Sequence, residues 1–322
     1  MSEKTPAGVI PTLLSLFLIS FGTPIFITKY IFRFKKAKNN IFFNADNKKY
    51  FKNYKKLNID KKIIVEKLDV LKKKNILEII KKYKPDNIFY FSGQSSLVKS
   101  IKLKKITNDS NYVGAKNFLE ILYEHKIKSK FFKANSGYIF EQKNGSISIN
   151  SKISSNKNPY IQSQIKAYQA VKKFRDKGLN CYSLIFLQVE SALRSNHFFI
   201  KKVCEHAKYK KDIVVGNLNT VRDYSWAPEI VKGIFYSTKI KARDIILSSG
   251  KGISGEEILK TAYKLNHLNY IKYFSVNKKF IRENETKKMI GSKKNYSILT
   301  RKFDFKIKVN KENLIKKIYH SI

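Results

Sequence analysis

Helical and extended segments alternate through the middle of this chain, and the alternation constrains the fold more than any other feature. The extended segments are short and apolar, whereas the helical segments repeat apolar residues at three- and four-residue spacing. Strands that are joined through helices form parallel sheets with helices on both faces, so the pattern predicts an α/β fold. The predicted helices are residues 75–83, 112–125 and 159–177, and the predicted strands are residues 87–91, 129–134 and 181–187.

The predicted elements become shorter and less regular after residue 187. Helices are expected near residues 198–206 and 227–236. Residues 141–157 are rich in Asn, Ser and Lys and are typical of a surface loop. We therefore expect a sheet domain over residues 1–187 and a smaller C-terminal lobe over residues 188–322, interleaved with the sheet domain.

The chain is strongly basic, with a formal net charge of +42 over 322 residues. Such a charge raises the question of a nucleic-acid partner. Lysine outnumbers arginine 59 to 7, however, and the lysines are spread along the chain instead of forming one arm or patch. Together with abundant Ile and Asn, this favours AT-rich codon usage and a solvated surface over nucleic-acid binding. The same positive field would attract an anionic ligand such as a diphosphate.

The two cysteines, Cys181 and Cys204, lie in apolar surroundings and have neither CxxC spacing nor a neighbouring His cluster. This predicts no metal site and fits a reducing, cytoplasmic compartment.

Residues 9–32 form a largely apolar segment that has two interpretations. A membrane anchor is one, since Arg33, Lys35 and Lys36 follow it as basic flanking residues. The other is a buried helix over residues 12–21 that ends at Gly22, followed by a strand over residues 25–28. Pro11, inside the apolar run, and the helix-ending glycine favour the second interpretation, so we expect no association with a membrane.

Six separated segments follow one another at compatible spacing between residues 67 and 291 and suggest a common ancestry with one family. The sharpest is Gly216-Asn217-Leu218-x-x-x-Arg222-Asp223-Tyr224. The others are Lys84-Pro85-Asp86 with Ser92-Gly93-Gln94-Ser95, Thr107-x-Asp109-x-Asn111-x-x-Gly114, Ala134-Asn135-Ser136, Glu190-Ser191-x-x-Arg194, and Arg282-x-x-Glu285 with Gly291. Together they resemble the GDP-mannose 4,6-dehydratase family of the extended short-chain dehydrogenases.

The resemblance implies a Rossmann-type parallel sheet that binds NADP (or NAD), a C-terminal substrate-binding lobe, a sugar nucleotide resembling GDP-mannose as ligand, and a homo-oligomer. It implies oxidation of the hexose at C4, loss of water across C5 and C6, and reduction at C6. The implied roles are acid/base for Tyr160 with Ser136 as hydroxyl partner; cofactor contacts for Gly8, Asp69, Val70, Ser92, Gly93, Gln94, Ser95 and Arg194; and substrate contacts for Arg222, Arg282 and Glu285.

Arginine at three of these positions is informative because the chain uses lysine almost everywhere else. The guanidinium fork suits bidentate binding of phosphate better than the point charge of lysine does. The alternative is that the arginines form ion pairs, Arg222 with the adjacent Asp223 and Arg282 with Glu285 three residues later.

The chain departs from the family pattern in four places. Gln164 replaces the lysine that follows the tyrosine by one helical turn, and Tyr138 replaces a catalytic glutamate. Val189 replaces a histidine, and of the three glycines expected in the phosphate loop only Gly8 is present. The lysine would lower the pKa of the tyrosine from about 10, and the glutamate would remove a proton beside the keto group.

We therefore predict weak or no dehydration and doubtful cofactor binding. Two alternatives stay open: a non-catalytic sugar-nucleotide binder or subunit partner, and a basic membrane-associated or nucleic-acid-binding protein.

Overall fold

The computed structural model describes residues 30–34, 40–44, 63–66, 68–142, 145–281 and 285–322. Within these ranges the strands, numbered along the chain, are β1 (Tyr30–Phe34), β2 (Asn40–Asn44), β3 (Ile63–Glu66), β4 (Asn87–Tyr90), β5 (Lys130–Ser136), β6 (Ser146–Ile147), β7 (Cys181–Phe186), β8 (Gln188–Glu190), β9 (Ile213–Val215), β10 (Val221–Trp226), β11 (Asp244–Leu247), β12 (Gly252–Ser254), β13 (Phe274–Val276) and β14 (Lys288–Gly291).

The α-helices of the described residues are α1 (Lys73–Tyr83), α2 (Leu97–Lys102), α3 (Lys104–Asn108), α4 (Gly114–Glu124), α5 (Pro159–Asp176), α6 (Phe199–Lys208), α7 (Ala227–Ser237), α8 (Gly255–Lys264), α9 (Ser297–Phe303) and α10 (Lys311–Tyr319). The elements predicted through the middle of the chain are confirmed, with small shifts at their ends. The largest shift precedes α4, where a π-helical turn, Asp109–Val113, joins it to α3.

The largest sheet of the described residues has seven strands, in the order β11-β7-β5-β4-β2-β1-β3. Strands β4, β5 and β7 run parallel, as the alternating pattern predicted, and the unpredicted β2 runs parallel to β4. Strand β1 departs from that pattern because it pairs antiparallel with both β2 and β3. Only residues 35–39 separate β1 from β2, and a parallel pair needs a crossover of about a dozen residues or more, so the short connection forces the antiparallel arrangement.

The core of the sheet is built from alternating side chains. On one face Ile88, Phe131 and Cys181 pack with residues of α1, α4 and α5 in a single buried cluster. On the other face the rings of Phe89, Phe132 and Tyr182 stack across three neighbouring strands, with centroid distances of 4.7 and 4.3 Å. Successive side chains of a strand point to opposite faces, so each strand contributes to both layers.

The chain divides into two compact units, each assembled from separate stretches of sequence. Unit 1 comprises residues 1–139, 152–186 and 231–245, and unit 2 comprises residues 140–151, 187–230 and 246–322. Unit 2 contains a mixed sheet in the order β12-β10-β14-β6, with β8 also paired to β10, and a two-stranded parallel pair of β13 and β9.

The prediction of a surface loop over residues 141–157 is wrong in one part. Strand β6 lies within this range and pairs with β14, more than 140 residues later in the chain. A pairing with so distant a partner leaves no local pattern.

Most of the apolar segment at residues 9–32, with the expected helix at 12–21 and strand at 25–28, lies outside the described residues. Its last three residues belong to β1. Among the described residues, no helix combines the length and the apolar character that a membrane crossing requires.

Candidate active site

The predicted catalytic tyrosine lies at the start of α5, beside the carboxyl end of β5. Asn158 caps this helix, since its side-chain Oδ1 accepts a hydrogen bond of 3.0 Å from the backbone N–H of Tyr160. Pro159 occupies the first turn, where its missing N–H has no consequence. In parallel α/β sheets ligands bind outside the carboxyl ends of the strands, so the tyrosine stands at the edge where chemistry is expected.

Tyr160 and Ser136 come together as the sequence predicted, but in a drier environment than expected. Tyr160 is buried, and the side chain of Ser136 hydrogen-bonds its phenol. Burial raises the pKa of Tyr160 to about 12; Ser136 acts in the opposite direction, and nearby Tyr138 raises the pKa further. The missing lysine alone would leave the pKa of Tyr160 near its ordinary value of about 10, so the rise comes from desolvation, which the sequence pattern does not show.

Gln164 lies one helical turn after Tyr160, where the family pattern has a lysine. Its side chain is 6% exposed, and its Oε1 has no hydrogen-bond partner among the described residues. The next lysine of the helix, Lys166, is exposed. The helix therefore brings a neutral amide to the buried position beside the tyrosine.

Tyr138 occupies the position of the expected carboxylate base. It lies in a short 3₁₀ turn, Gly137–Ile139, directly after β5, and its backbone N–H donates to the Ser136 Oγ over 3.3 Å. A phenol in this place cannot remove a carbon-bound proton as a carboxylate would.

The residues that follow β4 form a tight turn against the π-helical segment. Gly93 has a φ of +149°, and a Cβ built on it would lie 1.8 Å from the Oδ1 of Asn111. The Asn111 Nδ2 donates to the carbonyl of Gln94 over 3.0 Å, and the Gln94 Nε2 donates to the Thr107 Oγ1 over 3.2 Å. An alanine at position 93 would therefore be strained by its φ and would displace the Asn111 side chain, and these hydrogen bonds hold the turn against the π-helical segment.

The other predicted cofactor residues have diverse environments. Ser92 is buried with an Oγ that has no partner in the described structure, whereas Ser95 is exposed. Asp69 accepts from the backbone N–H of Leu71 over 3.0 Å, and Val70 is fully buried. Gly8 and the expected phosphate loop lie outside the described residues.

Lys133 is a buried residue of this region whose position could not be read from the sequence. It is 1% exposed, its Nζ donates to the carbonyl of Ala134, and the same atom lies 5.5 Å from the centroid of the Tyr90 ring. Burial lowers the pKa of the Lys133 amine to about 7. A lysine between Phe132 and Ala134 in an apolar strand is the signal that could have drawn attention to it.

The predicted arginines of unit 2 take part in ion pairs. The Arg194 Nη1 lies 2.8 Å from the Glu190 Oε1, and its guanidinium stacks 3.8 Å over the Phe198 ring. The Arg222 Nη2 lies 3.7 Å from the Glu285 Oε1, and both side chains are largely buried.

The alternative partner proposed for Arg222, the adjacent Asp223, is wrong, because neighbouring residues of β10 point to opposite faces. Asp223 instead accepts from Ser249, Gly250 and Gly291. Arg282 lies outside the described residues.

Solved structures of two sugar-nucleotide enzymes share the fold of this chain. UDP-glucose 4-epimerase of Thermotoga maritima, solved with UDP-glucose, has a TM-score of 0.69 at 17% identity, over 78% of this chain and 82% of that one. The dTDP-glucose 4,6-dehydratase of Bacillus anthracis, solved with NAD, has a TM-score of 0.67 at 14% identity, over 78% and 77%. The chain thus has the Rossmann-type fold of these enzymes.

The family follows from the sequence match. A family model described as GDP-mannose 4,6 dehydratase matches residues 27–318, and the chain belongs to this family. GDP-mannose 4,6 dehydratase 2 of Arabidopsis thaliana is 24% identical over 219 residues, which cover 65% of this chain and 58% of that protein. The chain therefore spans less than two thirds of the length of this relative.

Proposed function

We propose that this protein binds a sugar nucleotide resembling GDP-mannose and that it catalyses the dehydration of the family slowly or not at all. The observation that carries the proposal is the buried neutral Gln164 beside the buried Tyr160. With a pKa of about 12, only about one phenol in 10⁵ is ionised at pH 7. The tyrosine is therefore a poor base for the C4 hydroxyl of a hexose.

A nicotinamide cofactor, NADP or NAD, is part of the proposal. It would supply hydride acceptance and return. The polar groups at the edge of unit 1 fit its ribose, since the Ser92 Oγ and the Gln164 Oε1 are buried without partners in the described structure. Gly93 would allow close approach of the cofactor to the backbone. The NAD in the Bacillus anthracis dehydratase supports this class of cofactor.

In the intact reaction the residues of this chain would have two roles. Tyr160, helped by Ser136, would take the proton of the C4 hydroxyl while the hydride leaves C4. A base would then remove the C5 proton to expel water, and this is the role for which Tyr138 is unsuited. A rise in pH would ionise Tyr160 and relieve the first deficiency, but Tyr138 would still not remove the C5 proton as a carboxylate does. We therefore expect the elimination of water to be slower than the oxidation at C4.

We propose that the arginines bind the diphosphate or sugar. The Arg222 Nη1 donates to the Val221 carbonyl over 3.0 Å and the Nη2 lies 3.7 Å from the Glu285 Oε1, and a guanidinium has five N–H donors, so others are left for a ligand. The Arg222→Ala and Arg282→Ala variants should each lose about 1.5 to 3 kcal/mol of affinity for GDP-mannose, measured by calorimetry. Unchanged affinity in both variants would contradict the assignment. A homo-oligomer, which the family implies, can be tested by sedimentation.

Turnover of GDP-mannose to its 4-keto-6-deoxy product tests the function directly. The parent should turn over very slowly or not at all, and the double variant Gln164→Lys with Tyr138→Glu should be faster. Gln162→Lys makes the same exchange on the half-buried neighbouring position of α5 and should have no effect. Robust turnover by the parent would show that other residues replace the missing groups. Binding without turnover in any variant would indicate a non-catalytic sugar-nucleotide binder, and absence of binding would refute the proposal.

A further inference from the structure

Lys133 is a buried cation that the proposed chemistry leaves unused. Its ammonium form has three donors, and the hydrogen bond to the Ala134 carbonyl accounts for one of them. No carboxylate of the described residues lies within ion-pair distance of its Nζ. Lysine is rarely buried without such a partner, because removing its charge from water is expensive. A residue of this kind is more readily explained by a ligand than by the stability of the fold.

Lys133 lies on the face of β5 that is covered by α5, the helix that carries Tyr160, because Phe131 two residues earlier packs with Val171 and Phe174 of that helix. It shares one sheet face with Asn135, and the Asn135 Nδ2 donates to Ser183, which is opposite Lys133 in β7. Helix α5 packs against β5 and β7 and carries Ser163, whose Oγ accepts from the Asn111 Nδ2 over 2.9 Å. Gln164 is the next residue of that helix. The lysine therefore lies in the same buried layer as the polar groups around Tyr160.

Two acceptors in this layer complement the unused donors of the lysine. The Asn135 Oδ1 and the Gln164 Oε1 are both buried and have no hydrogen-bond partner among the described residues. A buried acceptor without a partner costs about 1 to 3 kcal/mol, so native proteins seldom keep several together. The hydroxyl groups of a ligand would satisfy both the unused lysine donors and the two amide acceptors, because a hydroxyl can accept from an ammonium and donate to an amide oxygen.

We propose that Lys133 is a ligand-binding residue whose ammonium group binds the hydroxyls of a sugar ring at the carboxyl edge of β5, with Asn135 and Gln164 as acceptors. This inference rests on the proposed function. The hydroxyls belong either to the ribose of a nicotinamide nucleotide or to the hexose of a sugar nucleotide. In both cases Lys133 holds the ring from the strand, and the pKa of Tyr160 stays raised by burial, so the tyrosine remains a poor base.

Binding measurements on Lys133→Met provide the main test, with Lys130→Met as the matched control. Lys130 lies in the same strand, and its Nζ also donates to a backbone carbonyl, that of Thr238, over 2.8 Å. Loss of a charged hydrogen bond should weaken affinity in Lys133→Met about tenfold to a hundredfold, and the control should bind as the parent does. Titrations with NADH, NADPH and GDP-mannose identify the ring that Lys133 binds. A loss of affinity for NADH or NADPH indicates the ribose, whereas a loss for GDP-mannose but not for GDP, which lacks the hexose, indicates the hexose.

The pH dependence of the parent gives a readout that needs no variant. The ammonium form of Lys133 binds the hydroxyls, and the pKa of the Lys133 amine in the protein without ligand is about 7. The affinity for the nucleotide should therefore fall as pH rises from 6 to 8. On the elements packed against β5 the titratable groups are Tyr90 on β4, Cys181 and Tyr182 on β7, and Tyr160, Lys166, Tyr168, Lys172, Lys173, Arg175 and Asp176 on α5. Of these, Tyr90 and Cys181 share the sheet face of Lys133, and the Tyr90 ring contacts its Nζ. Lys133→Met should abolish the pH dependence.

Thermal stability without ligand separates a binding role from a structural one. The folded pKa is about 7 and the unfolded pKa about 10.5, so between these values the unfolded chain holds the extra proton and the parent gains stability as pH rises. Lys133→Met should therefore melt no lower than the parent at pH 6, and its advantage should shrink toward pH 10. A melting temperature well below that of the parent at pH 6 would make Lys133 a structural residue and overturn the inference.

The outcomes distinguish this inference from the proposed function. If the parent binds a nucleotide and Lys133→Met binds it equally well at every pH, the inference falls and the proposed function stands. If the parent binds none of the probes, the proposed function and the inference fall together. If Lys133→Met does not fold, the pH profile of the parent decides: a fall in affinity between pH 6 and 8 supports the role, and a flat profile refutes it.

Discussion

The Asp223 carboxylate in unit 2 and three polar side chains at the edge of the sheet in unit 1 differ in how completely their hydrogen bonds are satisfied. In unit 2, Asp223 is fully buried and accepts from three backbone N–H groups and one hydroxyl. In unit 1, Ser92, Asn135 and Gln164 are also buried but keep oxygens without partners in the described structure. Unit 2 also has buried oxygens without a described partner, at Glu190, Ser225 and Ser248, so the contrast is confined to the Asp223 carboxylate and the sheet edge. A carboxylate with all these hydrogen bonds stabilises the fold, whereas a cluster of unsatisfied oxygens beside a candidate site is where a ligand is expected.

The largest expected effect concerns pH and the tyrosine at the unsatisfied edge. Since the pKa of Tyr160 is raised to about 12, the ionised fraction should grow about tenfold per pH unit over pH 7 to 10. Any oxidation of GDP-mannose should therefore increase up to about a thousandfold across that range, measured as initial rates. A plateau near pH 8 would show that the pKa falls once ligands bind.

The next largest effect is expected at the Asp223 carboxylate of unit 2. Asp223→Ala removes the acceptor of the Ser249, Gly250 and Gly291 N–H groups and leaves them buried. We expect a loss of about 3 kcal/mol or more in the free energy of unfolding, measured by urea denaturation. The Asp223→Asn variant keeps one acceptor oxygen and should lose less. A loss below about 1 kcal/mol for the alanine variant would break the contrast between the two regions.

A smaller effect is expected at the turn after β4. Gly93→Ala combines an unfavourable positive φ with a clash against the Asn111 Oδ1, and should cost about 2 to 4 kcal/mol. Gly178→Ala is the matched control, because its φ is +91° but nothing lies within 4 Å of the added Cβ. The control should cost about 1 kcal/mol. Equal losses in the two variants would show that the contact with Asn111 is easily relaxed.

The smallest effect distinguishes two neighbours on α5. Ser163→Ala removes the acceptor of the Asn111 Nδ2 and should cost about 1 kcal/mol. Gln164→Met removes an oxygen that has no described partner, so stability should stay within about 0.5 kcal/mol of the parent or rise. Both values come from the same denaturation experiment. A larger loss at Gln164 than at Ser163 would mean that the amide is structurally required.

Much of the fold was predictable from the sequence, because its signals are local. Apolar runs and helical spacing predicted β4, β5, β7 and the intervening helices, and Asn158 with Pro159 marks the start of α5. The family motifs likewise brought Tyr160 and Ser136 together correctly. The antiparallel β1 and the pairing of β6 with β14 were missed because strand partners are chosen by contacts between distant segments.

The sequence by itself determined which chemical groups are available. These are Tyr160 without a lysine one turn later, Tyr138 in place of the glutamate, and arginine at three family positions of a chain that otherwise uses lysine. Only the tertiary structure decided what those groups experience. Burial raised the pKa of Tyr160, and the sheet enclosed Lys133 without a carboxylate among the described residues to pair with it. The reason is physical: chemical identity and periodicity are written along the chain, whereas desolvation and hydrogen-bond partners depend on residues that are far apart in sequence and meet only in the fold.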